Sequence, residues 1–261
     1  DSYVNKLANY LESNTEVETD NFKNYMKYLS VSSRESIVNS EVFTDFNKYI
    51  HINRPIGDRL KEALKKLNSK EKGIILVVGS VGDGKSHLLS YLNENYPELL
   101  TEVEIYNDAT ESDNPYRTAV ETLINKLKEY KRSINKKLVI ALNIGMLHNL
   151  NEKIEGSNEL RDLSELIEGS RIFSEEVSDI NELNDEEVTV VSFLTEKPFI
   201  IKNGEVSSDF YNEIMKKIFS ESESNPFYEN FVRDDGFNRK ESIYRNYKLM
   251  LNEKVQETVI R

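Results

Sequence analysis

GIILVVGSVGDGKSHLLSYL, residues 73–92, joins an apolar run to a glycine-rich segment and then to an amphipathic stretch. GIILVV, 73–78, reads as a short strand buried on both faces, the pattern of strands in parallel sheets. Residues 79–86, GSVGDGKS, match G-x-x-x-x-G-K-[ST], the Walker A pattern of a phosphate-binding loop. SHLLSYLNENY then reads as a helix closed by Pro97. At average residue frequencies a random chain of this length shows the pattern about 1% of the time. Its position after a buried-strand signal and before a helix is the context that the chemistry requires, so we read it as functional.

Each fixed position has a physical reason. Gly79, Gly82 and Gly84 permit positive φ and close backbone approach, so that successive N–H groups can surround phosphate oxygens. The helix beginning near Ser86 adds the positive end of its dipole. Lys85 brings an ammonium between the β- and γ-phosphates, and the Ser86 hydroxyl is the expected magnesium ligand. The expected ligand is therefore ATP with magnesium, contacted by Gly79, Ser80, Val81, Gly82, Asp83, Gly84, Lys85, Ser86 and His87.

Hydrolysis needs an acid as well. Such loops are normally accompanied by a strand ending in Asp, often followed by Glu. Here LVIAL ends in Asn143. Two readings follow. Either Asn143 replaces the aspartate and hydrolysis is weakened, or Asn143 senses the γ-phosphate and the acid comes from the end of EVEIYND. In the second reading Asp108 is a magnesium ligand, with Glu111 following in NDATESDNP as a water-positioning group. A helix cap or Asx turn is the plain alternative for Asp108. HINRPIG is placed to contact adenine, or else Pro55 merely starts a helix and Ile56 packs in the core. Arg54, Arg117 and Arg171 are the candidate arginine fingers. The run KLKEYKRSINKK is the densest basic stretch, and a solvated helix end complementing the dipole explains it best.

On the N-terminal side, SYVNKLANYLE and NFKNYMKYL carry helical periodicity, and RPIGDRLKEALKKLN places Ile56, Leu60, Ala63, Leu64 and Leu67 on one face. A second strand is expected over 102–108, then a helix through NPYRTAVETLINKLKEYKR with Ala119, Leu123, Ile124 and Leu127 inward, then the strand KLVIALNIG. Residues 150–187 are acidic and short in aromatics, with a helical piece around ELRDLSELI, and read as an insertion or cap. VTVVSFL, 188–194, is a fourth strand, and SDFYNEIMKKIF is a helix with Phe210, Ile214 and Ile218 inward. The alternation of strand and helix predicts an α/β fold with right-handed crossovers. More specifically, we expect a P-loop NTPase of three αβα layers around a mostly parallel sheet, with N-terminal helices and a small helical C-terminal lobe. The expected divisions are 1–53, 54–224 and 225–261.

Composition sets the outer limits. The chain has 261 residues, 38% hydrophobic, and no Cys, which removes disulfides, thiolate zinc sites and cysteine nucleophiles. His51, His87 and His148 lack close metal-ligand spacing. No stretch approaches the roughly 20 apolar residues of a membrane span, and the start lacks a signal-peptide pattern, so a cytoplasmic protein without a membrane partner is expected. The formal charge of -12 argues against a chain that coats nucleic acid by itself. The absent initiator Met and an end inside KLMLNEKVQETVIR suggest a piece of a longer polypeptide.

SSRESIVNSEVF, HINRPIGDRLKEALK, ILVVGSVGDGKSHLLSYL, YNDATESDNPYRTAVETL and ALNIGMLHNL together resemble the F component of the Dpt systems, the phosphorothioation-dependent DNA restriction proteins of bacteria. The resemblance covers about residues 30–150. It implies a bacterial anti-phage defence ATPase that works with partner proteins against DNA lacking the phosphorothioate modification. It places nucleotide binding on Gly79, Gly82, Gly84, Lys85 and Ser86, while Asn143 departs from the usual ATPase pattern. DNA contact through a complex and an oligomeric state are compatible with it. The competing reading is a nucleotide-dependent switch or scaffold with slow hydrolysis. A small-molecule kinase ranks last, because the acidic segment 150–187 would repel a phosphorylated acceptor.

Overall fold

A computed structural model describes residues 22–27, 29, 45–107, 119–174, 187–202 and 204–260. The chain divides into two compact units, one of residues 35–197 and one of residues 1–34 with 198–261.

The first unit is an α/β structure on a four-stranded parallel sheet of β1 (Gly73–Gly79), β2 (Val103–Tyr106), β3 (Lys137–Asn143) and β4 (Val188–Ser192). The strand order is β2-β3-β1-β4, and every pairing is parallel. Its helices are α1 (Asp45–Ile50), α2 (Pro55–Asn68), α3 (Lys85–Asn95), α4 (Ala119–Arg132), α5 (Ile144–Ile154) and α6 (Arg161–Gly169). Because strand side chains alternate, Ile74, Leu76 and Val78 join Leu138, Ile140 and Leu142 under α4, α5 and α6. Ile75 and Val77 join Val139, Ala141 and Val191 under α2 and α3. Both faces of the sheet are thus covered by helices, which is why β1 is buried along its whole length.

Helix α2 buries the expected face, Ile56, Leu60, Ala63, Leu64 and Leu67, with Pro55 in its first turn. Leu60 and Leu64 are fully buried, so truncating either to Ala removes about 2–5 kcal/mol. In α4 the buried face is Val120, Leu123, Leu127 and Tyr130, with Ile124 partly buried.

Two strands stop earlier than their apolar runs, and side chains explain both. Asn143 caps α5 by accepting from the Met146 N–H at 2.8 Å, so β3 ends there. Ser192 accepts from the Leu194 N–H at 3.1 Å, and residues Phe193–Thr195 turn into a 3-10 helix. The acidic segment read as an insertion or cap packs closely on the sheet over its first part. Leu150, Ile154, Leu160, Leu163, Ile167 and Ile172 lie in the core beside the sheet, so residues 150–172 are part of its covering layer. Their acidic residues occupy the solvent face of amphipathic helices, which is what made the segment look detachable.

In the second unit, residues 22–27 are helical. The helix read over SYVNKLANYLE lies outside the described residues. A two-stranded antiparallel hairpin, β5 (Ile200–Lys202) and β6 (Glu205–Ser207), precedes α7 (Asp209–Phe219), α8 (Pro226–Arg233), α9 (Ser242–Met250) and α10 (Glu253–Ile260). Only Ile218 of the apolar residues in α7 is fully buried; Phe210 and Ile214 are half-buried. The core is aromatic: Phe22 meets Phe231 at 5.4 Å and Tyr247 at 4.8 Å between ring centroids. Asp234 ties the packing by accepting from the Phe22 N–H at 2.9 Å and the Tyr244 hydroxyl at 2.6 Å. Among the described residues no helix is long and apolar enough to cross a membrane.

Candidate functional site

The site lies at the C-terminal ends of the strands, where β1 passes through the glycine-rich loop into α3, the end of a parallel α/β sheet at which ligands bind. Gly79, last in β1, has no room for a side chain: a Cβ there would sit 2.8 Å from the Phe193 Cβ and 2.6 Å from the Asp83 carboxylate. Gly82 and Gly84 are glycine for another reason. Their φ angles are 87° and 94°, in the left-handed region, and nothing lies within 4 Å of where a Cβ would be. Open space therefore stands over both, and Gly84 is the residue from which α3 starts.

The loop is tied to itself. The Asp83 carboxylate accepts from the Ser80 N–H at 2.5 Å, and the Lys85 ammonium donates to the Ser80 carbonyl at 2.7 Å. Val81 stands at the tip, 86% exposed. Lys85 and Ser86 occupy the first turn of α3, where backbone N–H groups and the positive end of the helix dipole favour an anion.

The ends of the neighbouring strands meet this loop. Asn143 lies opposite Gly79 in the β1–β3 register, with its side-chain oxygen engaged in capping α5. Ser86 donates its hydroxyl hydrogen to the Asn107 side-chain oxygen at 3.0 Å. Asn107 follows β2, and sequence reasoning passed over it in favour of the acids next to it; the signal was its place at a strand end. Asp108 and Glu111 lie outside the described residues.

His87, read as a ligand contact, has its ring turned toward α1 and the turn after it. Its Nε2 is 2.9 Å from His51 Nδ1, and the His51 ring stacks on Tyr91 with centroids 3.6 Å apart. Burial, and then the neighbouring His51, push the His87 pKa down to about 4. Of HINRPIG, His51 also lies 3.3 Å from the Asn53 side-chain oxygen, while Ile56 packs in the core.

Among the arginine candidates, Arg54, just before α2, is turned onto the glycine-rich loop and donates to the Asp83 carbonyl at 2.8 Å. Arg171 is exposed just beyond α6, with a φ of 51°. Arg117 lies outside the described residues. The basic run is laced with carboxylates: Lys126 and Lys136 both reach Glu104, Lys131 reaches Glu187, Arg132 reaches Glu159 and Lys137 reaches Glu102. Hydrogen bonding to Lys136 leads the effects that hold the Glu104 carboxyl below its ordinary range. These pairs fit a solvated helix end better than a phosphate-binding patch.

No family model, curated protein or solved structure matches the chain.

Proposed function

We propose that the loop 79–87 binds ATP with magnesium, and that the chain is the ATP-hydrolysing module of a bacterial restriction complex. The observation that carries the nucleotide reading is local. Two left-handed glycines with open space over them stand between an inner parallel strand and a helix that begins with Lys85 and Ser86. That donor set fits a polyphosphate: backbone N–H groups at the start of α3 face the oxygens, and Lys85 exchanges the Ser80 carbonyl for a phosphate oxygen. Gly79, Ser80, Val81, Gly82, Asp83 and Gly84 supply the wall of the loop. Ser86 would hold the magnesium, which when bound supplies Lewis-acid stabilisation of charge on the phosphates. His87, whose ring is engaged with His51, would contribute through its backbone.

The Ser86–Asn107 hydrogen bond brings the end of β2 to the proposed metal ligand, and this favours the reading in which the acid follows β2. Asp108 is the next residue in the chain and Glu111 comes shortly after it. Asn143 is then the polar residue at the end of the strand beside the loop, suited to the γ-phosphate through its amide hydrogens. The restriction role, with protein partners and DNA reached through them, is supported by the resemblance of the motifs in 30–150. A second reading, a switch with slow turnover, is favoured by the neutral amides of Asn107 and Asn143 at two strand ends beside the loop.

The test is calorimetry with ATP and magnesium, followed by steady-state ATPase assays with and without unmodified DNA and partner proteins. Lys85→Ala is expected to abolish ATP binding with the fold intact, and unchanged affinity would sink the assignment. Asp108→Asn and Glu111→Gln are expected to slow turnover with little effect on binding; wild-type turnover in both would put the acid elsewhere. DNA stimulation distinguishes the restriction module from the switch.

A further inference from the structure

Residues 192–196 grip the loop from the β4 side. Val78 and Ser192 are partners in the β1–β4 register, and Phe193 lies against the backbone of Gly79. The Arg54 guanidinium stands 5.0 Å from the centre of the Phe193 ring while donating to the Asp83 carbonyl within the loop. The same guanidinium faces Glu196, with Nε 3.6 Å from Oε2. Arg59 holds the other carboxylate oxygen at 3.1 Å and also donates to the Ser192 carbonyl and the Thr195 hydroxyl, each at 3.2 Å. The Glu196 side chain is 10% exposed, with each carboxylate oxygen facing one of the two arginines. Lys197, the next residue, is the last of this unit.

We infer that Arg54 and Glu196 are positioning residues that tie the conformation of the loop 79–86 to the segment 192–197, where the chain leaves the sheet unit. The inference rests on the nucleotide reading and adds to it the means by which occupancy is passed on. A phosphate entering the loop draws Lys85 off the Ser80 carbonyl, and the loop backbone held by that bond readjusts. The Asp83 carbonyl moves with its peptide, and Arg54, which it holds, must adjust against Glu196. Each arrangement of the loop then has its own setting of the Arg54–Glu196–Arg59 group, as coupling between two places requires. A purely structural ion pair would brace the segment equally with and without nucleotide.

The experiment compares amide hydrogen exchange over residues 193–197 in the full chain, with and without saturating ATP and magnesium. Wild type is compared with Glu196→Gln and Arg54→Lys, and calorimetry measures ATP binding for each. Arg54→Lys keeps the charge and loses the fork that reaches two partners. In the wild type, ATP is expected to change exchange in this segment by about tenfold, and in both variants by less than about twofold. An equal ATP-dependent change in wild type and variants, or none in a wild type that binds ATP, overturns the relay. Failure of the wild type to bind ATP in the calorimeter instead overturns the nucleotide reading, and the relay with it.

Discussion

Lowering the pH should destabilise the start of α3 through His87, and the size of the effect follows from its surroundings. The half-buried ring lies against the segment around His51, and its pKa is held at about 4, against 6.5 for a solvated imidazole. The folded protein therefore keeps the ring neutral where the unfolded chain takes up a proton. Its neutral form contributes in full above 6.5, and that contribution is lost as the pH falls from 6.5 toward 4. At about 1.4 kcal/mol per pH unit the complete loss is about 3 kcal/mol, of which about 2 kcal/mol is gone by about pH 5. Urea unfolding of wild type and His87→Gln at neutral pH and at about pH 5 measures it. The substitution costs some stability at both pH values through lost packing, but the wild type should lose about 2 kcal/mol more than the variant on acidification. Equal losses would show that the ring is solvated or already charged, and would refute the burial argument.

Gly84→Ala places a β-carbon at a φ of 94°, which costs about 1–2 kcal/mol in chemical denaturation. Its methyl also enters the space assigned to phosphate, so ATP affinity should fall by more than the strain alone explains; wild-type affinity would remove Gly84 from the site. Asn107→Asp adds a carboxylate beside the Ser86 hydroxyl, 3.0 Å away in the amide form. The magnesium concentration that half-saturates ATP binding should drop several-fold, about 1 kcal/mol for a charge-assisted contact. No change in that concentration would place the metal away from the end of β2.

Much of the fold is legible from pattern alone. GIILVV and LVIAL are continuous apolar runs because each strand is buried on both faces, and the period of Ile56, Leu60, Ala63, Leu64 and Leu67 is the period of the buried face of α2. The glycines of GSVGDGKS likewise announce a backbone that other residues adopt only at a cost. In the acidic stretch the helix around ELRDLSELI is legible, but its composition hides that Leu160, Leu163 and Ile167 fall on one face of α6 or beside it, and that face is core.

Pattern in the sequence is enough to find β1 to β4 and the helices α2, α3, α4, α6 and α7 in outline, and the glycines that mark a tight turn after β1. Those are consequences of side-chain period and backbone freedom, and both act over a few residues. What meets that loop is set by how the elements pack. The order β2-β3-β1-β4 sets Asn143 beside Gly79, and packing of the helices brings Asn107 to Ser86, His51 to His87, and Glu196 to Arg54. The pairing of Phe22 with Phe231 and Tyr247 is of the same kind, between parts of the chain more than 200 residues apart. Such contacts leave no local signature, because a residue's partner across a core depends on how whole elements stack and not on its neighbours in the chain.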